Sequence, residues 1–278
     1  MISAQIVRIV TFLYLGSSII YITYMAFQLP KIAKIASGWT WIAFLLHTFA
    51  IIMRWIESYQ MGIGHAPLTN MYESLVFYSW CITFLYLLWE RRMPSRLSGA
   101  IVMPLAFFFI AYASLAPGVS AQIDPLIPAL QSNWLHAHVL TCFLSYASFT
   151  ISCALSILYL IKQGQKKEGQ NNNQQNLGLE NLETLIYKTI AIGFPLLTIG
   201  IITGAAWANY AWGSYWSWDP KETWSLITWF IYAVFLHARL RREWRGKRLA
   251  ILAIAGFGAV LFTYFGVNYV LSGLHSYV

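Results

Sequence analysis

Apolar residues gather into eight long runs separated by short polar stretches, at about 6–28, 37–56, 70–89, 98–116, 136–161, 186–207, 222–239 and 249–271. Each run reaches about 18 residues or more, the length at which a helix can cross the hydrocarbon core of a bilayer. No water reaches the backbone there, so such runs must satisfy their own hydrogen bonds as helices. The pattern predicts an all-α polytopic integral membrane protein with about eight transmembrane helices. Two helix starts carry capping chemistry. Asn70 with Glu73 forms the pattern of a capping box ahead of the third run. Asp219, Pro220 and Glu222 supply an N-cap, a first-turn proline and an N3 acid ahead of the seventh. The segment 163–185 contains the polar tract GQNNNQQN and shows no apolar period, so a flexible connector is expected there.

Composition removes the soluble alternative. Apolar residues make up 58% of the chain and charged residues only 10%, against about 25% charged in soluble domains. A formal charge of +8 would suit nucleic acid, but its placement does not. Lys31, Lys34, Arg91, Arg92, Arg96, Lys162, Lys166, Lys167, Lys188, Arg239, Arg241, Arg242, Arg245, Lys247 and Arg248 all fall on one side of the predicted membrane; Arg8, Arg54 and Lys221 are the exceptions. The positive-inside rule puts that side in the cytoplasm and both termini outside it. The first run lacks a small-residue cleavage site and reads as an anchor. Cys81, Cys142 and Cys153 lie inside apolar runs without a C-x-x-C pair, as buried small residues do.

The outward side then collects loops 57–69, 117–135 and 208–221 and the tail 272–278. Residues 207–224 hold five tryptophans and two tyrosines. An interfacial aromatic belt is one explanation. The aromatics, however, continue through a polar, glycine-containing stretch, where indole faces can stack on a large planar ligand and exclude water from it. Trp212, Tyr215, Trp216, Trp218 and Trp224 are the candidates for such a shelf. Asp219 is explained by capping, and Lys221 either pairs with a ligand carboxylate or snorkels at the helix end.

Six histidines complete the candidate chemistry. His138 and His275 sit at outward helix ends, on the same face as the aromatic stretch, and a neutral imidazole is a common iron ligand. His136 competes with His138, but two residues apart on a helix they point about 200° away from each other. His237 lies deep in the seventh span and His47 midway in the second, where an ionisable group is a functional candidate. Arg54 and Glu57 are spaced to pair with each other. His65, in Gly64-His65-Ala66-Pro67, is expected at the surface without a ligand.

The string Trp212-Gly213-Ser214-Tyr215-Trp216-Ser217-Trp218-Asp219-Pro220-Lys221-Glu222-Thr223-Trp224 resembles the tryptophan-rich WWD signature of haem-handling proteins. More narrowly, the chain is similar to the CcsA (ResC) type subunit of the system II cytochrome c synthase. The resemblance extends to Arg54-Trp55, Gly64-His65 with Pro67, Tyr72-Glu73-Ser74-Leu75, Pro128 to Ser132 with Trp134, His138-Val139, Leu236-His237 and Gly273-Leu274-His275-Ser276-Tyr277. It implies one transmembrane haem-handling domain over 1–278, with the WWD loop at about 207–224 on the periplasmic or lumenal side of a bacterial plasma membrane or a thylakoid. It also implies haem b held by bis-histidine ligation through His138 and His275, with His237 serving an inner haem position. The partners implied are a ResB-type membrane subunit and apocytochrome c, whose C-x-x-C-H cysteines form thioethers with the haem vinyl groups. No catalytic acid or base is implied. Tyr210 stands where many plastid and cyanobacterial relatives have glutamate, which points to a source outside that lineage. The competing functions are a system I haem-delivery protein and a proton-coupled solute transporter using His47 and His237.

Overall fold

The computed structural model describes residues 1–93, 95–165, 173–242 and 244–271. Among these there is no strand. Eight long helices follow one another: α1 (Ile2–Phe27), α2 (Pro30–Gln60), α3 (Met71–Glu90), α4 (Gly99–Leu115), α5 (Asn133–Gly164), α6 (Asn173–Trp212), α7 (Pro220–Arg241) and α8 (Lys247–Leu261). A π-turn, Phe262–Gly266, and a last helical turn, Val267–Val270, continue α8. All but α7 contain a segment long and apolar enough to span a membrane. Helix α7 is long enough, but its tryptophans, threonines, tyrosine and histidine dilute its apolar character. The chain is an integral membrane protein. It divides into two compact units, Met1–His136 and Ala137–Val278.

In the first unit, α1 packs on α2 and α4, and α3 packs on α4. Helix α1 buries Ser3, Val7, Val10, Tyr14, Ser17 and Tyr21, an alternating spacing of four and three that marks one helix face. Ile9, Phe12, Ile19 and Ile22 stay exposed. Serines and tyrosines inside with large apolar residues outside suit a helix whose solvent is lipid, where interhelical hydrogen bonds and packing replace the hydrophobic effect. Two buried carboxylates pin the two ends of this unit. Glu57 accepts from the backbone N–H groups of Ile2 (2.6 Å) and Ser3 (3.1 Å) and from the Ser3 hydroxyl. Glu90 accepts from Tyr21, Tyr86 and Ser37.

Four expectations are corrected here. Arg54 does not pair with Glu57. Its Nε donates to Glu73 at 2.9 Å, and its other nitrogens donate to the carbonyls of Ala121 (2.9 Å) and Gln122 (3.0 Å). Glu57 is already occupied by the chain's own start, so the arginine turns to the next helix. The capping box at α3 is half formed. Asn70 caps the Glu73 N–H, but Glu73 accepts from the backbone and hydroxyl of Thr69 rather than from Asn70. His65 is buried, with its ring nitrogens 2.9 Å from Ala66 O and 3.0 Å from Asp124 O. Finally, most of the supposed connector is helix, because α6 begins at Asn173. Leu179, Leu182, Leu185 and Ile186 are buried, a short amphipathic period that starts only after the polar tract.

Candidate functional site

The aromatic segment also begins later as a loop than its composition suggests. Helix α6 runs on to Trp212, so Trp207 and Trp212 stand on helical turns and the irregular stretch is 213–219. That stretch is set by its exit. Asp219 accepts from the Lys221 N–H at 3.0 Å, and Glu222 accepts from the Asp219 N–H at 3.1 Å, so the predicted capping box forms. Glu222 also accepts from the Ser217 N–H at 2.8 Å. Between them Trp218 takes φ +58°, a left-handed conformation disfavoured for a bulky side chain. The Glu222 carboxylate holds both neighbours of this strained residue.

Across from the loop, α5 and α6 meet at two glycines. Gly200 and Gly204 face Cys142 and His138, and a Cβ on Gly204 would lie 2.7 Å from His138 Nδ1. Gly200-Ile201-Ile202-Thr203-Gly204 is a small-x-x-x-small pattern, which permits close backbone approach between membrane helices. The contact has a chemical result. His138 Nδ1 lies 2.7 Å from the Gly200 carbonyl, which only accepts, so the proton sits on Nδ1 and the lone pair on Nε2. Metal-ligating histidines are held in this way, with the second nitrogen donating to a backbone carbonyl. The imidazole also stacks on Trp207, at 6.0 Å and 19°, and Trp207 meets Trp212 edge-on at 5.0 Å.

His138, Tyr215, Trp216 and Lys221 line one small, partly open cleft with a cavity volume of about 80 Å³. Cys142, Tyr146, Glu222 and Thr263 share its wall. Four residues nominated from sequence are thus brought together. The others stand apart. Trp218 is exposed and touches Trp216 edge-on at 5.7 Å. Trp224 packs on Phe262 at 4.1 Å, and Asp219 is spent as the cap. His237 is on the exposed face of α7, away from the cleft lining. His275 lies outside the described residues. His47 is buried against Tyr14, whose hydroxyl is 2.9 Å from Nδ1. All three cysteines are buried and unpaired by disulfide, as expected.

Sequence reading missed Trp207 as the stacking partner, the glycine notch and Asn268. The oxygen Oδ1 of Asn268 accepts from Lys221 Nζ at 3.0 Å. The glycine spacing was a usable signal for the notch; nothing in the sequence marked Asn268.

Fold and site define a polytopic helical membrane protein with an aromatic-walled cleft that presents an oriented imidazole. Residues 68–275 match the cytochrome C assembly protein family, and the chain belongs to it. It is 45% identical over 267 residues to the cytochrome c biogenesis protein CcsA of Chlamydomonas reinhardtii, covering 95% of this chain and 72% of that one. CcsA of Guillardia theta is 45% identical, over 90% of this chain and 87% of its own. CcsA of Gloeobacter violaceus is 38% identical, over 90% and 88%. Among solved structures, the cytochrome c heme lyase CcmF shares the fold with a TM-score of 0.69 at 17% identity. The match covers 94% of this chain and 46% of that one.

Proposed function

We propose that this chain binds haem at its non-cytoplasmic face and presents it for thioether attachment to the C-x-x-C-H motif of apocytochrome c. The observation that carries the reading is the His138 imidazole, its Nδ1 proton committed to Gly200 O, in a cleft walled by Tyr215, Trp216 and Lys221. The donor set suits an iron porphyrin: a neutral imidazole for the metal, flat aromatic rings for the macrocycle and an ammonium for its carboxylates. Haem b is the expected form, with His138 and His275 as the two axial ligands. The family match extends through residue 275. Asp219 and Trp224 contribute by fixing the entry of α7, and Trp212 by buttressing Trp207.

In the attachment reaction a substrate cysteine S–H adds across a haem vinyl C=C, forming the C–S bond and placing the proton on carbon. No bond of this chain is made or broken, and no acid or base of its own is required. Its work is to orient the haem, exclude water from it and tune the iron through the axial imidazole.

An inner haem position at His237 is part of the proposal. An imidazole on the exposed face of a helix in lipid calls for a partner, and a ResB-type membrane subunit would supply the second histidine. The one-sided distribution of basic residues supports a periplasmic or lumenal WWD loop, in a bacterial plasma membrane or a thylakoid, and the proposal treats 1–278 as one transmembrane haem-handling domain. The test is purification with the membrane partner from haem-replete cells. A low-spin bis-histidine haem spectrum is expected, and a haem-free complex that still matures cytochrome c would overturn the reading.

A further inference from the structure

The cleft's single lysine is held by a residue that no motif marks. Lys221 is the second residue of α7, and its ammonium donates to Asn268 Oδ1 at 3.0 Å. Asn268 is buried, and its own amide nitrogen donates to the Tyr264 carbonyl at 2.7 Å. The second bond settles which end of the amide faces the lysine: the nitrogen is committed to a carbonyl, so the oxygen is the end turned to the ammonium.

Asn268 reaches this position because α8 does not stay α-helical. Thr263 lines the cleft, and Asn268 follows it by five residues. On a continuous α-helix five residues rotate by about 500°, which leaves the two side chains about 140° apart. The π-turn at Phe262–Gly266, with the Val267 N–H bonded to Phe262 O, closes a wider turn and brings residues five apart toward one side. Such turns recur at functional sites. The Asp219 and Glu222 carboxylates that flank Lys221 accept from backbone N–H groups of the cap, and the Asp219 charge also acts on the ammonium.

We propose that Asn268 is a positioning residue that holds the Lys221 ammonium as a carboxylate-recognition subsite of the cleft. The inference rests on the haem reading above and names what the lysine selects: the propionate end of the porphyrin. A neutral carbonyl-type acceptor fixes an ammonium without cancelling its charge, which a carboxylate at the same place would do.

The test compares binding of haem and of haem dimethyl ester, whose propionates are uncharged, to the purified full-length chain. The wild type is expected to prefer the free acid by about tenfold, the worth of one charge-assisted hydrogen bond. Lys221→Met removes the preference while ester binding persists. Asn268→Leu removes it although the lysine remains. Asn268→Asp, nearly the same shape, removes it by neutralising the ammonium, and it guards against a folding failure of the leucine variant. A wild-type preference kept in both Asn268 variants overturns the positioning role. Equal binding of the two porphyrins by the wild type overturns the subsite while leaving the haem reading intact. Binding of neither removes both.

Discussion

His138 fills the space that a side chain at position 204 would need. A Cβ on Gly204 would lie 2.7 Å from His138 Nδ1, and the ring cannot simply swing aside because Nδ1 is tied to Gly200 O at 2.7 Å. The glycine is therefore part of the ligand's mounting as well as of the helix contact.

Gly204→Ala should displace the imidazole and destabilise the second unit by about 1–3 kcal/mol, as overpacking does. Haem retention should fall with it. Gly178, on the same helix, has nothing within 4 Å of a built Cβ. Gly178→Ala should be neutral or slightly stabilising, by up to about 1 kcal/mol of helix propensity. Haem content and thermal unfolding of the two variants in detergent check both statements.

Arg54→Met leaves Glu73 buried without its counter-ion and removes the arginine's bonds to the Ala121 and Gln122 carbonyls, of which Gln122 O keeps Asn70 Nδ2 at 3.3 Å. Breaking a buried pair in this way costs about 3–5 kcal/mol. Arg96, which is partly exposed and 3.7 Å from Glu90, should cost under about 1 kcal/mol when replaced by Met. Thermal melts of the two variants should differ accordingly.

Glu222→Ala releases the N–H groups of Ser217 and Asp219 on either side of the strained Trp218. The loop should lose its fixed form, with faster proteolysis between 213 and 219 and a red-shifted tryptophan emission. The accompanying loss of stability should be about 0.5–2 kcal/mol, the usual worth of a cap.

His237→Ala should leave the stability of the isolated chain within about 0.5 kcal/mol of wild type, because the residue is exposed. In the complex with its membrane partner it should lower haem content while His138-dependent haem remains. Difference spectra of His237→Ala and His138→Ala in the complex separate the positions.

Seven of the eight long helices were legible in the sequence because each holds a long apolar run, and the less apolar α7 was marked by its cap, whose partners lie within three residues of one another. Arg54 was misassigned for the opposite reason. Its partner is Glu73, nineteen residues away on the next helix, while the nearer Glu57 is claimed by residues 2 and 3 at the chain's start. The start of α6 was hidden by the polar tract, after which only a short amphipathic stretch buries leucines. At the site, His138, Tyr215, Trp216 and Lys221 could be nominated by residue type. The groups that orient them could not, because Gly200 lies 62 residues from His138 and Asn268 lies 47 from Lys221. Local pattern reports chemistry, and packing between helices decides its orientation.

The most direct measurement is the absorption spectrum of haem bound to the purified chain with its partner, in wild type, His138→Ala and His136→Ala, each with and without added imidazole. The account predicts that His138→Ala alone loses the bis-histidine bands and regains them with imidazole, while His136→Ala, about 200° around the helix, matches wild type. A wild-type spectrum in His138→Ala without imidazole would contradict it.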